Sequence, residues 1–290
     1  MSLVAALALF VTGVRAVASV PIEGFQHKVI STGAPAYTES SLGYSCNMTT
    51  LKDQLFTGWD DCEKHELVFL HIPKTGGESV ETALGLTKNH ESLRNRRTQM
   101  SQRDWDCAFK FSTVRNPWAR WESWYSFCKT GYGRNKILPN PNWACTIARK
   151  TTLSGYTKAV ITVLLGIRAL ELQGSSSRAE HYTAGDAMSK NDPFDRAFLM
   201  EAQSRYLTDG VDLDTILPNF IIKFENLVED FACLASILGT DAKLPHQNPS
   251  TIVAGKSTAE RVAAFDEETR LLIEQFNSFE VEKYGYTFPG

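Results

Sequence analysis

Between Leu67 and Val80 an apolar run, Leu-Val-Phe-Leu-His-Ile, gives way to Pro73-Lys74-Thr75-Gly76-Gly77-Glu78-Ser79 and then to a helix-like pattern. One lysine, two glycines and two hydroxyls in a strand–loop–helix suit the grip of a phosphate-like anion. Backbone N–H groups at a helix start point outward, and glycine lets the anion approach closely. Lysine adds a mobile point charge. The same glycines also read as an ordinary tight turn. A second cation, Arg115, stands where the run Phe109–Val114 ends, and Ser123 lies eight residues further on. Arginine grips a phosphate through paired N–H bonds, and serine can donate its hydroxyl. In open α/β sheets ligands bind beyond the carboxyl ends of the strands, and Lys74 and Arg115 both fall there. Two anion grips on adjacent strand ends suit a nucleotide with two separate phosphate groups. The loop lacks the GxxxxGK pattern, since its lysine precedes the glycines, and ATP or GTP hydrolysis is disfavoured.

Several elements must position these residues. Residues 67–72 read as a strand and 78–86 as a short helix, with Val80, Ala83 and Leu84 at helical spacing. Residues 88–106 are polar and charged. They read as a solvated connector or as an active-site loop that brings His90 to the first loop. Phe109–Val114 is the second strand, and Pro117 suits the first turn of the next helix. Trp118, Trp121, Trp124, Tyr125 and Phe127 on that helix read mostly as core. Residues 131–143 read as a loop, Tyr156 to Leu172 as an apolar helix, 173–193 as a polar loop and Ala197 to Leu207 as a helix. Asn219 to Phe224 is the third strand. A helix follows it to about Leu238, with Gly239 suited to close it. A loop over 244–256 precedes one long amphipathic helix over 258–284. Apolar strands alternating with helices predict an α/β fold whose central parallel sheet is flanked by helices on both faces.

With 290 residues there is room for one large domain or two small ones. The net charge of −3 offers no global basic excess for nucleic acid, so any anion site must be local. Leu3 to Val14 is an apolar run too short to span a bilayer comfortably. Arg15 and then Ala16-Val17-Ala18 follow, a small-x-small cleavage pattern. Residues 1–18 therefore read first as a cleaved signal peptide, second as a signal anchor that would attach the chain to a membrane, and third as a buried helix. Residues 19–60 read as an irregular extension, tied down through Cys46 or Cys62, and 61–290 as the main domain. Six cysteines permit disulfides without fixing their pairing. None forms a CxxC or zinc-like cluster, and no metal is expected. Asn47-Met48-Thr49 is a glycosylation sequon.

The sequence resembles the Golgi-type, PAPS-dependent carbohydrate sulfotransferases, of the heparan and chondroitin sulfotransferase kind. His71 to Ser79 is similar to that family's 5′-phosphosulfate loop, and Phe111 to Tyr125 to its 3′-phosphate motif. Gln203-Ser204-Arg205-Tyr206-Leu207, Phe224-Glu225-Asn226-Leu227, Leu244-Pro245-His246-Gln247-Asn248 and Tyr284-Gly285-Tyr286-Thr287-Phe288 extend the likeness from about residue 66 to 288. The resemblance implies a P-loop nucleotide-hydrolase-like sulfotransferase fold. It implies transfer of the sulfonyl group of 3′-phosphoadenosine-5′-phosphosulfate (PAPS) to a carbohydrate hydroxyl or amine. Lys74, Thr75, Gly76, Gly77, Glu78 and Ser79 would hold the 5′-phosphosulfate, with Lys74 acting on the leaving oxygen. Arg115 and Ser123 would hold the 3′-phosphate. His90 is the expected base, since histidine titrates near neutrality and its surroundings resemble the segment where the family often places one. Glu81 is the rival base, His71 supports the loop, and His246 and Lys256 are lesser candidates for acceptor or nucleotide contact. Glu78 must turn its carboxylate away from any bound phosphate. The expected location is the Golgi lumen or membrane, with secretion second. A non-catalytic nucleotide- or glycan-binding protein and a nucleotide kinase of related fold are the competing readings.

Overall fold

Among the described residues three apolar runs form the sheet: β1 (Leu67–Leu70), β2 (Phe109–Val114) and β3 (Phe220–Lys223). The structure is a computed structural model that describes residues 62, 66–87, 90, 93–130, 143–172, 200–208, 218–245 and 257–289. All of these belong to one unit, Leu42–Gly290. The strands are parallel in the order β1-β2-β3, with Leu67 opposite Phe109 and Phe111 opposite Phe220. Successive side chains enter different cores. Val68, Leu70, Val114 and Ile221 join an apolar cluster with Trp121, Tyr156 and Phe276. Phe109, Phe111 and Ile222 join a second cluster with Val80, Phe231 and Leu234. Burial on both faces is why each strand reads as a near-continuous apolar run.

Helix α1 (Gly77–Leu84) follows β1. Before β2 come α2 (Leu93–Thr98) and α3 (Gln102–Asp106). After β2, Pro117 opens α4 (Pro117–Thr130) as expected, and α5 (Trp143–Lys150) and α6 (Leu153–Leu172) follow. Helix α7 (Ser204–Leu207) precedes β3. A single 3₁₀ turn (Phe224–Asn226) then leads into α8 (Leu227–Ile237), with Gly239 just beyond it at φ 66°. The chain closes with α9 (Thr258–Val262), α10 (Glu267–Phe276) and α11 (Ser278–Tyr284).

Several expectations are corrected. The polar stretch 88–106 is not one loop, because α2 and α3 occupy most of it. The Ser101 hydroxyl accepts from the Asp104 N–H and starts α3. Helix α6 begins at Leu153, earlier than expected, and α5 occupies a stretch to which the sequence assigned no element. The helix expected over 197–207 is reduced, among the described residues, to the short α7, because Glu201 and Ala202 leave the helical path. The long helix over 258–284 is three helices. Ser257 and Glu260 form a capping box that starts α9. The Asp266 carboxylate accepts from the Thr269 N–H and starts α10, and Asn277 at φ −116° separates α10 from α11. The N-terminal segment, the sequon, the loop expected over 173–193 and most of those expected over 131–143 and 244–256 lie outside the described residues.

Disulfides join Cys62 to Cys107 and Cys128 to Cys145, and Cys233 is also disulfide-bonded. The Cys62–Cys107 bond sits at the turn between α3 and β2, while the extension expected over 19–60 lies outside the described residues. Among the described residues no helix is long and apolar enough to cross a membrane.

Candidate functional site

The turn between β1 and α1 is shaped by two left-handed residues, Lys74 at φ 71° and Gly76 at φ 86°. Gly76 and Gly77 are fixed by what lies against them. A Cβ on Gly76 would stand 2.8 Å from the Phe224 ring, and one on Gly77 would overlap the His71 ring, 2.7 Å from Nε2. The Thr75 hydroxyl faces inward. It donates to the Ile72 carbonyl at 2.6 Å, so the Thr113 hydroxyl must be the donor in the 2.6 Å contact between the two threonines. Thr75 therefore fastens the loop to β2. The Ser79 N–H is engaged in the first turn of α1, donating to the Gly76 carbonyl at 3.1 Å. Glu78 is exposed. The Lys74 ammonium lies 4.4 Å from the centroid of the Phe127 ring, on α4.

Arg115 leaves the end of β2 and lies beside this loop. Its Nη1 donates to the Lys74 carbonyl at 3.2 Å, and its guanidinium stacks 4.2 Å from the centroid of Phe224. Phe224 is thus the plate between Gly76 and Arg115. Arg115 Nε is buried without a hydrogen-bond partner, an unmet donor of the kind an anionic ligand would satisfy. Burial lowers the Arg115 pKa to about 10, with Glu225 opposing the shift, and the side chain stays cationic at neutral pH. Ser123 is half-buried on α4, and its hydroxyl has no hydrogen-bond partner among the described residues. The structure therefore brings Lys74, Arg115 and the α4 helix carrying Ser123 to one end of the sheet. His246 and Lys256 lie outside the described residues.

Residues that hold this arrangement were not recognised as such in the sequence. Gln203 is fully buried and meets the Arg115 peptide twice. Its Oε1 accepts from the Arg115 N–H and its Nε2 donates to the Arg115 carbonyl, both at 2.8 Å. Glu225 accepts from the Asn116 N–H at 2.8 Å and from the Tyr286 hydroxyl at 3.2 Å. Asn116 Nδ2 donates to the Thr287 carbonyl at 2.8 Å. The segments around Gln203, Glu225 and Tyr286 thus converge on the turn that carries Arg115. Arg120 is buried below the loop. Its Nε donates to the Pro73 carbonyl at 3.0 Å and its Nη1 to the Glu201 carbonyl at 2.8 Å. Arg261, on α9, pairs with Glu122 at 2.9 Å, next to Ser123 in the chain.

On the other side of the loop, His71 and Glu81 pair at 2.7 Å and both are buried. His90 packs on His71, with ring centroids 4.1 Å apart. The structure therefore places His90 against His71, at the end of β1. Among the described residues no group of three or more His, Cys, Asp or Glu side chains could hold a metal ion.

Residues 59–287 match the model of the Sulfotransferase family. The match covers well over half of the chain, and the chain belongs to that family. Its general chemistry is therefore transfer of a sulfo group, on a helix-rich α/β fold with a small parallel sheet. No curated protein and no solved structure matches the chain.

Proposed function

We propose that the protein transfers the sulfonyl group of PAPS to a hydroxyl or amine of a carbohydrate acceptor. The observation that carries this reading is the 3.2 Å hydrogen bond from Arg115 Nη1 to the Lys74 carbonyl, which ties the turn after β1 to the end of β2. The unmet Arg115 Nε fits an anionic ligand. Thr75 to Ser79 would line the 5′-phosphosulfate and Arg115 with Ser123 the 3′-phosphate, a group that ATP lacks. PAPS supplies the sulfonyl group, and the leaving nucleotide departs as 3′-phosphoadenosine-5′-phosphate (PAP).

Positioning and charge stabilisation carry most of an in-line displacement of this kind. The Lys74 ammonium would neutralise charge on the leaving oxygen. Its perch beside Phe127 sets its direction, and the αL backbone at Lys74 sets its origin. His90 would take the acceptor proton. Its Nδ1 lies 3.1 Å from the His71 carbonyl, which can only accept, so neutral His90 carries its lone pair on Nε2. The disulfides fit an oxidising, secretory-type compartment. A Golgi lumenal or membrane location, with attachment through the N-terminal segment, belongs to the same proposal.

The test is incubation with labelled PAPS and a glycan panel, with PAP binding measured by calorimetry. Transfer that is lost in Lys74→Ala and His90→Ala supports the assignment. PAP binding with no transfer to any acceptor would identify a non-catalytic binding protein. Binding indifferent to the 3′-phosphate would point to a nucleotide kinase.

A further inference from the structure

His71 and Glu81 are each 4 % exposed, and the His71 Nδ1 lies 2.7 Å from Glu81 Oε1. A carboxylate only accepts, so the hydrogen sits on His71 Nδ1 and the ring is held edge-on to Glu81. Two further contacts confine that ring. Phe69 stacks on it with centroids 5.7 Å apart, and Gly77 lies against it with no Cβ to intervene. His90 then meets His71 twice. Its ring packs 4.1 Å from the His71 ring, and its Nδ1 donates to the His71 carbonyl at 3.1 Å. One ring face and one backbone acceptor together fix both the aim and the tautomer of His90.

We infer that Glu81 and His71 are positioning residues for His90: Glu81 orients the His71 ring, and His71 holds His90 with its lone pair on Nε2. The inference rests on the reading of His90 as the base. It gives Glu81 a role other than that of a second base, since its carboxylate is engaged by His71. Burying an acid–imidazole pair is expensive, and an apolar pair of similar shape would pack at least as well beside Phe69. A pair serving only to fill space has no need of the two polar groups. A pair that must hold one imidazole in one orientation does.

Three variants of the full chain test this. His90→Ala should lower kcat by about 10²- to 10⁴-fold, the usual worth of a general base, with PAP affinity unchanged. The double variant His71→Phe with Glu81→Met keeps a ring and the buried volume but removes the bond. It should lower kcat about 10- to 100-fold, the scale of a small misplacement of a reacting group, with KM for PAPS and PAP affinity kept. Glu81→Gln retains an acceptor for the His71 N–H and should restore most of kcat. Nitrogen NMR of labelled histidines, with the His90 signals identified by their loss in His90→Ala, should show hydrogen at Nδ1 in the wild type and mixed tautomers in the double variant, because without the His71 ring to hold it His90 no longer stays in line with the residue 71 carbonyl. Should the double variant fail to fold, Glu81→Met alone gives the same reading.

Wild-type kcat and an unchanged His90 tautomer in the variant lacking the Glu81 acceptor would overturn the inference while His90→Ala stays inactive. A parallel loss of PAP affinity would overturn it too, because His71 would then support only the loop. Full activity in His90→Ala would remove the base reading itself, and this inference with it.

Discussion

Arg115 Nη1 donates to the backbone carbonyl of Lys74 across 3.2 Å. The cation proposed for the 3′-phosphate therefore also sets the backbone of the lysine proposed for the leaving group. Arg120 acts one residue earlier, on the Pro73 carbonyl. Arg115→Lys keeps the charge but loses the planar fork that can serve a carbonyl and a phosphate together. PAP affinity should fall about 10- to 100-fold, the worth of one or two charge-assisted hydrogen bonds. Because Lys74 is released as well, kcat at saturating PAPS should also fall. Calorimetry and initial rates measure the two effects separately, and a variant altered in affinity alone would show that the carbonyl contact plays no part in turnover.

Lys74 itself is the one described non-glycine residue with positive φ, at 71°. A side chain there costs on the order of 1–2 kcal/mol relative to a right-handed conformation, and glycine escapes that cost. Lys74→Gly and Lys74→Ala should both abolish transfer. The glycine variant should be the more stable of the two by about 1 kcal/mol. Urea denaturation of the two proteins reads the difference. Equal stabilities would mean that the loop relaxes once the lysine is gone.

The strand–loop–helix from Leu67 to Leu84 and the turn at Arg115 were legible in the sequence because apolar runs there stop abruptly at Gly, Pro or charge. The role of Gln203 was not. It replaces a backbone partner of Arg115 at a distance of 88 residues in sequence, and nothing local marks a glutamine for that task. Glu225 reaches Asn116 across 109 residues for the same reason. The C-terminal helices misled in the opposite way. Apolar spacing runs through 258–284 without interruption, whereas the breaks depend on Asp266 and Asn277, polar residues that read equally well as an exposed helical face. His90 was legible as a candidate, but its orientation by His71 and Glu81 depends on packing between β1, α1 and the segment beyond.

Glu280, on α11, is fully buried, and its Oε1 accepts from the Ser204 N–H at 2.6 Å. Burial raises its pKa, opposed by the Ser204 N–H and by Arg120 and Arg168. The folded state thus holds this proton to higher pH than the unfolded chain. Its contribution to stability is complete below the ordinary glutamate range and is lost as pH rises through the raised value. Glu280→Gln keeps the acceptor and removes the charge. Melting curves should show wild type and variant nearly equal at about pH 4, near the unperturbed glutamate value. The variant should become progressively more stable toward neutral and alkaline pH. A gap that narrows as pH rises would contradict the assigned direction.

The disulfide Cys128–Cys145 joins the last turn of α4 to α5 across a separation of 17 residues, and Cys62–Cys107 closes one of 45. In the chain-entropy account the shorter loop is worth about 3 kcal/mol and the longer about 4. Removing either pair by alanine should therefore lower stability, the Cys62–Cys107 pair by slightly more. Their effects on transfer should differ. Phe127, beside Cys128 in the chain, is the ring over which the Lys74 ammonium lies at 4.4 Å. Loosening the end of α4 shifts that ring, whereas Cys107 precedes β2 at the opposite end of the strand from Arg115. At a temperature where both variants remain folded, Cys128→Ala with Cys145→Ala should lower kcat. Cys62→Ala with Cys107→Ala should leave it near wild type. Initial rates measured alongside circular dichroism decide the matter. Equal losses of activity in the two variants would show that α4 gives Lys74 no support beyond global stability.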